Sequence, residues 1–199
     1  MTDLETSRAE FRDLAEGSEP VVVRVEAQIE AAVDPLQAYA TLTADNDYGF
    51  LLESAEKTAA SDPEGAFEPA HAAGDRHARY SFIEYDPDAV VAIGPDGDSV
   101  TVCRDAVGVE YLDPGDASGD VLDRVRGSLP DLERRGFPEA DRQLLDGGLV
   151  GFLAYDAVYD LWLDEVGKTH PETAIPDAEF VLTTRTVVFD HLEDAVSLV

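Results

Sequence analysis

Cysteine and lysine are almost missing from this 199-residue chain: Cys103 is the single thiol, and Lys57 and Lys168 are the two lysines among 14 basic residues. One thiol excludes an internal disulfide and fits a reducing compartment. Long apolar runs are missing as well. No stretch reaches the ~18 apolar residues that a membrane helix needs, and the acidic N-terminus lacks the basic and apolar regions of a signal peptide. A cytoplasmic protein with no membrane association is expected. Positive charge is short throughout, with 43 acidic against 14 basic residues and a net charge of −29. A surface of that sign repels phosphate backbones, which argues against a nucleic-acid partner. The acids are scattered through every segment, between apolar residues that keep their period, instead of forming a tail. Even dispersion suits strong salt, where a screening length of ~3 Å at 1 M removes the self-repulsion. The composition reads as a halophile's.

Hydrophobic residues make up 44% of the chain and aromatics 8%, enough to bury a core over one domain or a large part of one. Leu4, Phe11, Leu14 and Ala15 share one face at helical spacing, with Thr2 and Glu5 as a capping box and Gly17 as the stop. Residues 21–29 read as a strand, and Asp34-Pro35 opens a helix carried by Leu36, Tyr39, Ala40 and Thr43. Asn46-Asp47-Tyr48-Gly49 turns into the apolar run Phe50-Leu51-Leu52-Glu53-Ser54, expected as a buried strand with a polar tip. That tip has a plain reading too, in which Glu53 and Ser54 cap a helix over 55–58.

Residues 59–75 read as a surface loop, and 78–85 as a strand ended by Asp86-Pro87-Asp88. Gly94-Pro95-Asp96-Gly97-Asp98 joins strands over 89–93 and 99–104 in a hairpin. Ser118 is placed as the cap of a helix bearing Val121, Leu122, Val125 and Leu129; residues 130–145 carry no clear pattern. Gly147-Gly148-Leu149-Val150-Gly151-Phe152-Leu153-Ala154-Tyr155-Asp156 is a second apolar run, whose glycines point to close approach by another backbone or a ligand. A short helix over 157–162 and a loop over 165–177 follow. Residues 179–189 and 195–199 then pair across 190–194, and the chain stops inside that last strand pattern, which predicts a fragment. The whole is expected to be α+β, mostly antiparallel sheet or sandwich with flanking helices and the motif strands inside.

Catalytic motifs fail one after another. No glycine-rich phosphate loop is present, since Gly147-Gly148 and Gly151 lack the partners such a loop requires. His71, His77, His170 and His191 stand at spacings that suit no metal site, and Cys103 reads as core packing. No catalytic and no metal-binding residue is expected in this chain.

Three stretches in order carry a resemblance: Phe50-Leu51-Leu52-Glu53-Ser54, then Arg79-Tyr80-Ser81-Phe82-Ile83, then the run from Gly147-Gly148 to Tyr155-Asp156. Together they resemble the N-terminal domain of anthranilate synthase component I, across nearly all of residues 1–199. The resemblance implies that the full protein is a lyase of tryptophan biosynthesis. It would convert chorismate, with ammonia from a glutamine amidotransferase subunit, to anthranilate and pyruvate. It also implies Mg²⁺ and the catalytic residues in a C-terminal chorismate-binding domain outside this sequence, and feedback control by L-tryptophan in the part at hand. The expected allosteric tryptophan site comprises Leu52, Glu53, Ser54, Arg79, Tyr80, Ser81 and Phe82. An amino-acid zwitterion wants an acidic acceptor, hydroxyl or backbone donors and an apolar slot, which these residue types supply. Two other readings stay open: an aminodeoxychorismate synthase large subunit, whose first motif usually lacks the glutamate, and a stand-alone amino-acid-binding module.

Overall fold

A computed structural model describes residues 3–17, 19–53, 79–95, 97–104, 107–112, 119–139 and 145–199. They form two compact units, one within Met1–Tyr85, Glu133–Asp146 and Arg185–Val199 and the other within Asp86–Leu132 and Gly147–Thr184. The class is α+β with antiparallel pairing dominant, as the sequence predicts.

The first unit is built on a six-stranded sheet. Its strands are β1 (Asp3–Leu4), β3 (Ala27–Ile29), β4 (Gly49–Glu53), β5 (Tyr80–Tyr85), β11 (Thr186–Asp190) and β12 (Ala195–Leu198), in the order β1-β3-β12-β11-β5-β4. Every pairing in it is antiparallel. Leu4 therefore belongs to a strand and not to the first helix. Helix α1 (Arg8–Leu14) begins later, with Ser7 Oγ accepting from the Glu10 N–H at 3.2 Å, because a Ser in extended conformation satisfies an orphan donor at a helix start.

The single strand expected over 21–29 is two. β2 (Val21–Val23) leaves the main sheet to pair in parallel with β8 (Glu133–Arg135), while β3 stays in it. That parallel pair is what the unpatterned stretch after Pro130 forms. Arg135 uses its guanidinium on the Leu14 and Glu16 carbonyls at 2.8 and 2.7 Å, satisfying the open end of α1.

Helix α2 (Pro35–Leu42) starts where the sequence says it should. Asp34 Oδ1 accepts from the Leu36 and Gln37 N–H groups at 3.0 and 3.3 Å, and Pro35 takes the first helical position, where its missing N–H costs nothing. Ala38, Tyr39 and Leu42 pack on Ile83, Val187, Phe189, Leu51 and Leu198, closing one face of the sheet.

The second unit holds a four-stranded sheet in the order β7-β6-β10-β9, from β6 (Ala89–Gly94), β7 (Gly97–Val102), β9 (Gly148–Leu153) and β10 (Ala178–Thr183). The hairpin β6–β7 forms as its turn residues predict. Val91 and Ile93 are fully buried with Ala89, Ala178, Leu182 and, from helix α3 (Val121–Gly127), Val121. Each Val, Ile or Leu side chain among them contributes roughly 1.5–3 kcal/mol on leaving water. α3 is capped by Asp120, whose Oδ1 takes the Leu122 and Asp123 N–H groups at 2.9 and 3.0 Å; Ser118 lies outside the described residues. Three short helical turns over residues 155–166 replace the one helix expected near 157–162.

Two expectations about burial fail. β4 and β9 are edge strands, so two of the three motif stretches lie at sheet margins instead of inside, with Leu52 44% and Phe152 45% exposed. Cys103 is exposed just beyond β7, where the apolar alternation has ended, and does not pack in a core. The loop expected over 59–75 and the helix over 55–58 lie outside the described residues.

Candidate functional site

β4 meets β5 with Glu53 opposite Ser81, Leu52 opposite Phe82 and Leu51 opposite Ile83. On its other side β5 meets β11, with Ser81 opposite Phe189 and Tyr80 opposite Asp190. Side chains alternate between faces along a strand, so this register divides the expected site residues. Glu53 and Ser81 share the face that α2 covers further along the sheet. Leu52, Tyr80 and Phe82 look out from the opposite face. Ser54 lies outside the described residues.

On the α2 side, the exposed Glu53 carboxylate accepts from Ser81 Oγ at 3.3 Å. Ser81 is 1% exposed, and its Oγ also lies 2.7 Å from His191 Nε2. Carboxylate, hydroxyl and imidazole thus form a chain across three neighbouring segments. The main chain of β5 has no such freedom, because it is laddered to β4 on one side and β11 on the other. Its contribution at this end is the Ser81 side chain.

Arg79 is committed. Its Nε and Nη2 grip Asp190 in a bidentate pair at 3.0 and 2.6 Å, and its guanidinium carbon lies 4.8 Å from the Tyr80 ring centroid. The pair holds the Arg79 pKa above its ordinary value, chiefly through the Asp190 hydrogen bonds. Burial alone pushes Asp190 up, but Arg79 and the Leu192 and Glu193 N–H groups outweigh it and leave the carboxyl below its usual range. The Arg79 carbonyl accepts from the His191 N–H at 2.8 Å, so the turn after β11 is clamped to the start of β5 by side chain and main chain together.

Tyr80 and Phe82 stand with ring centroids 6.0 Å apart, forming the aromatic wall that the sequence suggests, on the face away from Glu53. That face also carries a cavity of about 290 Å³, lined by Tyr80, Val188, Asp190, Ser197, Arg24 and Asp146 among others. Arg24 is neutralised there by Glu26 and Asp146 at 2.6 and 2.7 Å.

His191 is the residue that sequence reading missed at this site, since it appeared only as part of a polar turn. The signal is the pairing of residues 186–190 with 80–84, which sets the next residue beside the start of β5. His170 is engaged elsewhere, in the second unit, its Nε2–H donating to Asp177 Oδ1 over 2.9 Å. Among the described residues no group of three or more His, Cys, Asp or Glu side chains is placed to hold a metal ion.

No family model matches the chain. Individual proteins do, along its whole length. It is 60% identical over 200 residues to "Anthranilate synthase component 1" of Haloferax volcanii, covering 100% of this chain and 38% of that protein. The chain matches the N-terminal part of anthranilate synthase component 1. The likeness extends at 58% identity over 199 residues to the Halobacterium salinarum protein named "Anthranilate synthase component 1 1", covering 98% of this chain and 38% of that one. At 32% identity over 205 residues it reaches anthranilate synthase component 1 of Mycolicibacterium smegmatis, covering 98% and 32%. The chain therefore spans little more than a third of the length of these curated relatives. A crystal structure of anthranilate synthase component I from Streptococcus pneumoniae TIGR4 aligns with 84% of this chain and 29% of its own, at 19% identity and a TM-score of 0.35. The haloarchaeal relatives fit the acidity of the chain, and among its described residues no helix is long and apolar enough to cross a membrane.

Proposed function

We propose that this chain is the inhibitor-sensing part of an anthranilate synthase large subunit, and that L-tryptophan docks its ammonium on Glu53, the last residue of β4. The observation that carries the reading is the Glu53–Ser81 contact, which joins two of the three motif stretches at an open sheet margin in a chain aligned end to end with anthranilate synthase component 1. A carboxylate at an edge strand, not consumed by an ion pair among the described residues, is the acceptor an amino-acid ammonium requires. Ser54 follows it directly in sequence and would serve the ligand's carboxylate; Leu52 and the Tyr80–Phe82 rings on the other face would respond through the shared strands instead of touching the same ligand.

The full protein on this reading converts chorismate and ammonia to anthranilate and pyruvate, with the ammonia supplied by a glutamine amidotransferase subunit. Mg²⁺ and the reacting groups belong to the part of the relatives that this chain does not span. Inhibition then works by differential binding, and linkage requires chorismate to weaken tryptophan by the same factor that tryptophan weakens chorismate.

The test is the full-length enzyme assayed with glutamine or ammonia across a tryptophan titration. Losing a hydrogen bond to a charged group costs about 1.5–3 kcal/mol, so Glu53→Gln should raise the inhibitory tryptophan concentration by roughly 10- to 150-fold. Wild-type sensitivity in Glu53→Gln would overturn the assignment.

A further inference from the structure

We infer that His191 is a positioning residue for Glu53, acting through the Ser81 hydroxyl, so that the imidazole sets whether the carboxylate is held ready for the inhibitor's ammonium. This rests on Glu53 being the tryptophan acceptor, as proposed above.

Ser81 Oγ carries one hydrogen and two lone pairs, and it stands between a carboxylate that only accepts, Glu53 Oε1 at 3.3 Å, and His191 Nε2 at 2.7 Å, which accepts or donates according to its tautomer. A hydroxyl cannot donate to both. When Nε2 bears a proton it donates to Oγ, and the hydroxyl hydrogen is free to point at Glu53. When Nε2 is bare, the shorter contact draws the hydroxyl hydrogen to the ring, and Glu53 loses the donor that orients it. Among the described residues, the Ser81 hydroxyl is the side chain that bonds to Glu53, and its hydrogen orients the carboxylate.

The imidazole is held in place for the task. The His191 N–H is bonded to the Arg79 carbonyl at 2.8 Å, and Asp190 next to it is locked by Arg79. Asp190 Oδ1 further accepts from the Leu192 and Glu193 N–H groups at 3.0 and 3.3 Å, closing the turn. Ser81 is buried in the middle strand of three, and neither it nor His191 has to move for the relay to work. Asp190, next to His191 in sequence, is paired with Arg79, and Glu53 lies beyond Ser81.

The experiment uses the full-length enzyme and measures the tryptophan inhibition constant, kcat and the chorismate KM for Ser81→Ala, His191→Leu, His191→Gln, Glu53→Gln and the double variant Ser81→Ala/His191→Leu. Ser81→Ala removes the donor to Glu53, and His191→Leu removes the partner that fixes the hydroxyl rotor; either should weaken tryptophan by roughly threefold to tenfold. Because both act through one bond to Glu53, the double variant should be no worse than the weaker single. His191→Gln restores an N–H donor and should return sensitivity to within about threefold of wild type. A merely structural imidazole would not be rescued in this way.

Wild-type tryptophan sensitivity in His191→Leu beside a loss in Glu53→Gln would overturn the relay and leave Glu53 standing. Multiplying losses in the double variant, or no rescue by Gln, would do the same. If Glu53→Gln itself keeps wild-type sensitivity, the docking assignment falls and the relay with it.

Discussion

A hydrogen-bonded carboxylate is worth most where it is both desolvated and multiply served, and Asp190 meets both conditions. It holds Arg79 by two bonds and closes its own turn by two more. Replacing it with Ala leaves a guanidinium unpaired beside Tyr80, and should destabilise the first unit by about 2 kcal/mol in urea titration. The pH dependence has a definite sign. The folded-state pKa of Asp190 is depressed, so its contribution is complete above the unfolded value of about 3.9 and is lost as pH falls through the lower folded value. Asp190→Ala should therefore flatten the acid limb of the stability profile. His170 runs the other way: its pKa is raised, first by the hydrogen bond to Asp177, so its contribution is complete below about 6.5 and fades as pH rises through the higher folded value. His170→Gln should remove that alkaline-side loss, read as thermal midpoint against pH. Asp34 was visible from sequence at this level because a cap acts on its own next residues. His191 was not, because what it touches lies 110 positions away at Ser81.

Among the strands, glycine marks the tightest constraint. A Cβ on Gly151 would run into the carbonyl oxygen of Glu179 and the Cα of Phe180 on the paired strand β10. That is the close backbone approach expected of a glycine within a strand pattern. Gly151→Ala must push β9 off β10, and a loss of about 2–3 kcal/mol is expected, seen as a lower urea midpoint with little change in slope. The β6–β7 hairpin and helix α2 were readable because their signals are local, Pro95 and Gly97 in one turn and Asp34-Pro35 at one helix start, whereas α1 and α3 start from Ser7 and Asp120 and not from the expected caps. The split of residues 21–29 into β2 and β3 was not readable. It depends on β8, a partner more than a hundred residues away that has no pattern of its own.

The charge acts on the molecule entire. A net of −29 repels itself over a screening length that grows from ~3 Å at 1 M salt to ~10 Å at 0.1 M. Dilution from molar KCl to 0.1 M should lower the unfolding midpoint by several degrees, followed by circular dichroism, while equimolar changes between KCl and NaCl should matter far less. The 58–60% identity to haloarchaeal proteins agrees with that expectation.

Composition, caps, turns and three ordered motifs were enough to reach the fold class and the relationship to anthranilate synthase component 1, since each is a property of neighbours along the chain. They could not say that β4 and β9 would stand at sheet edges, that Glu53 and Tyr80 would face opposite ways, or that Arg79 would be consumed by Asp190. Those facts follow from strand order and register, and a register is chosen by the packing of residues far apart in sequence, where a shift of one position turns every side chain to the other face.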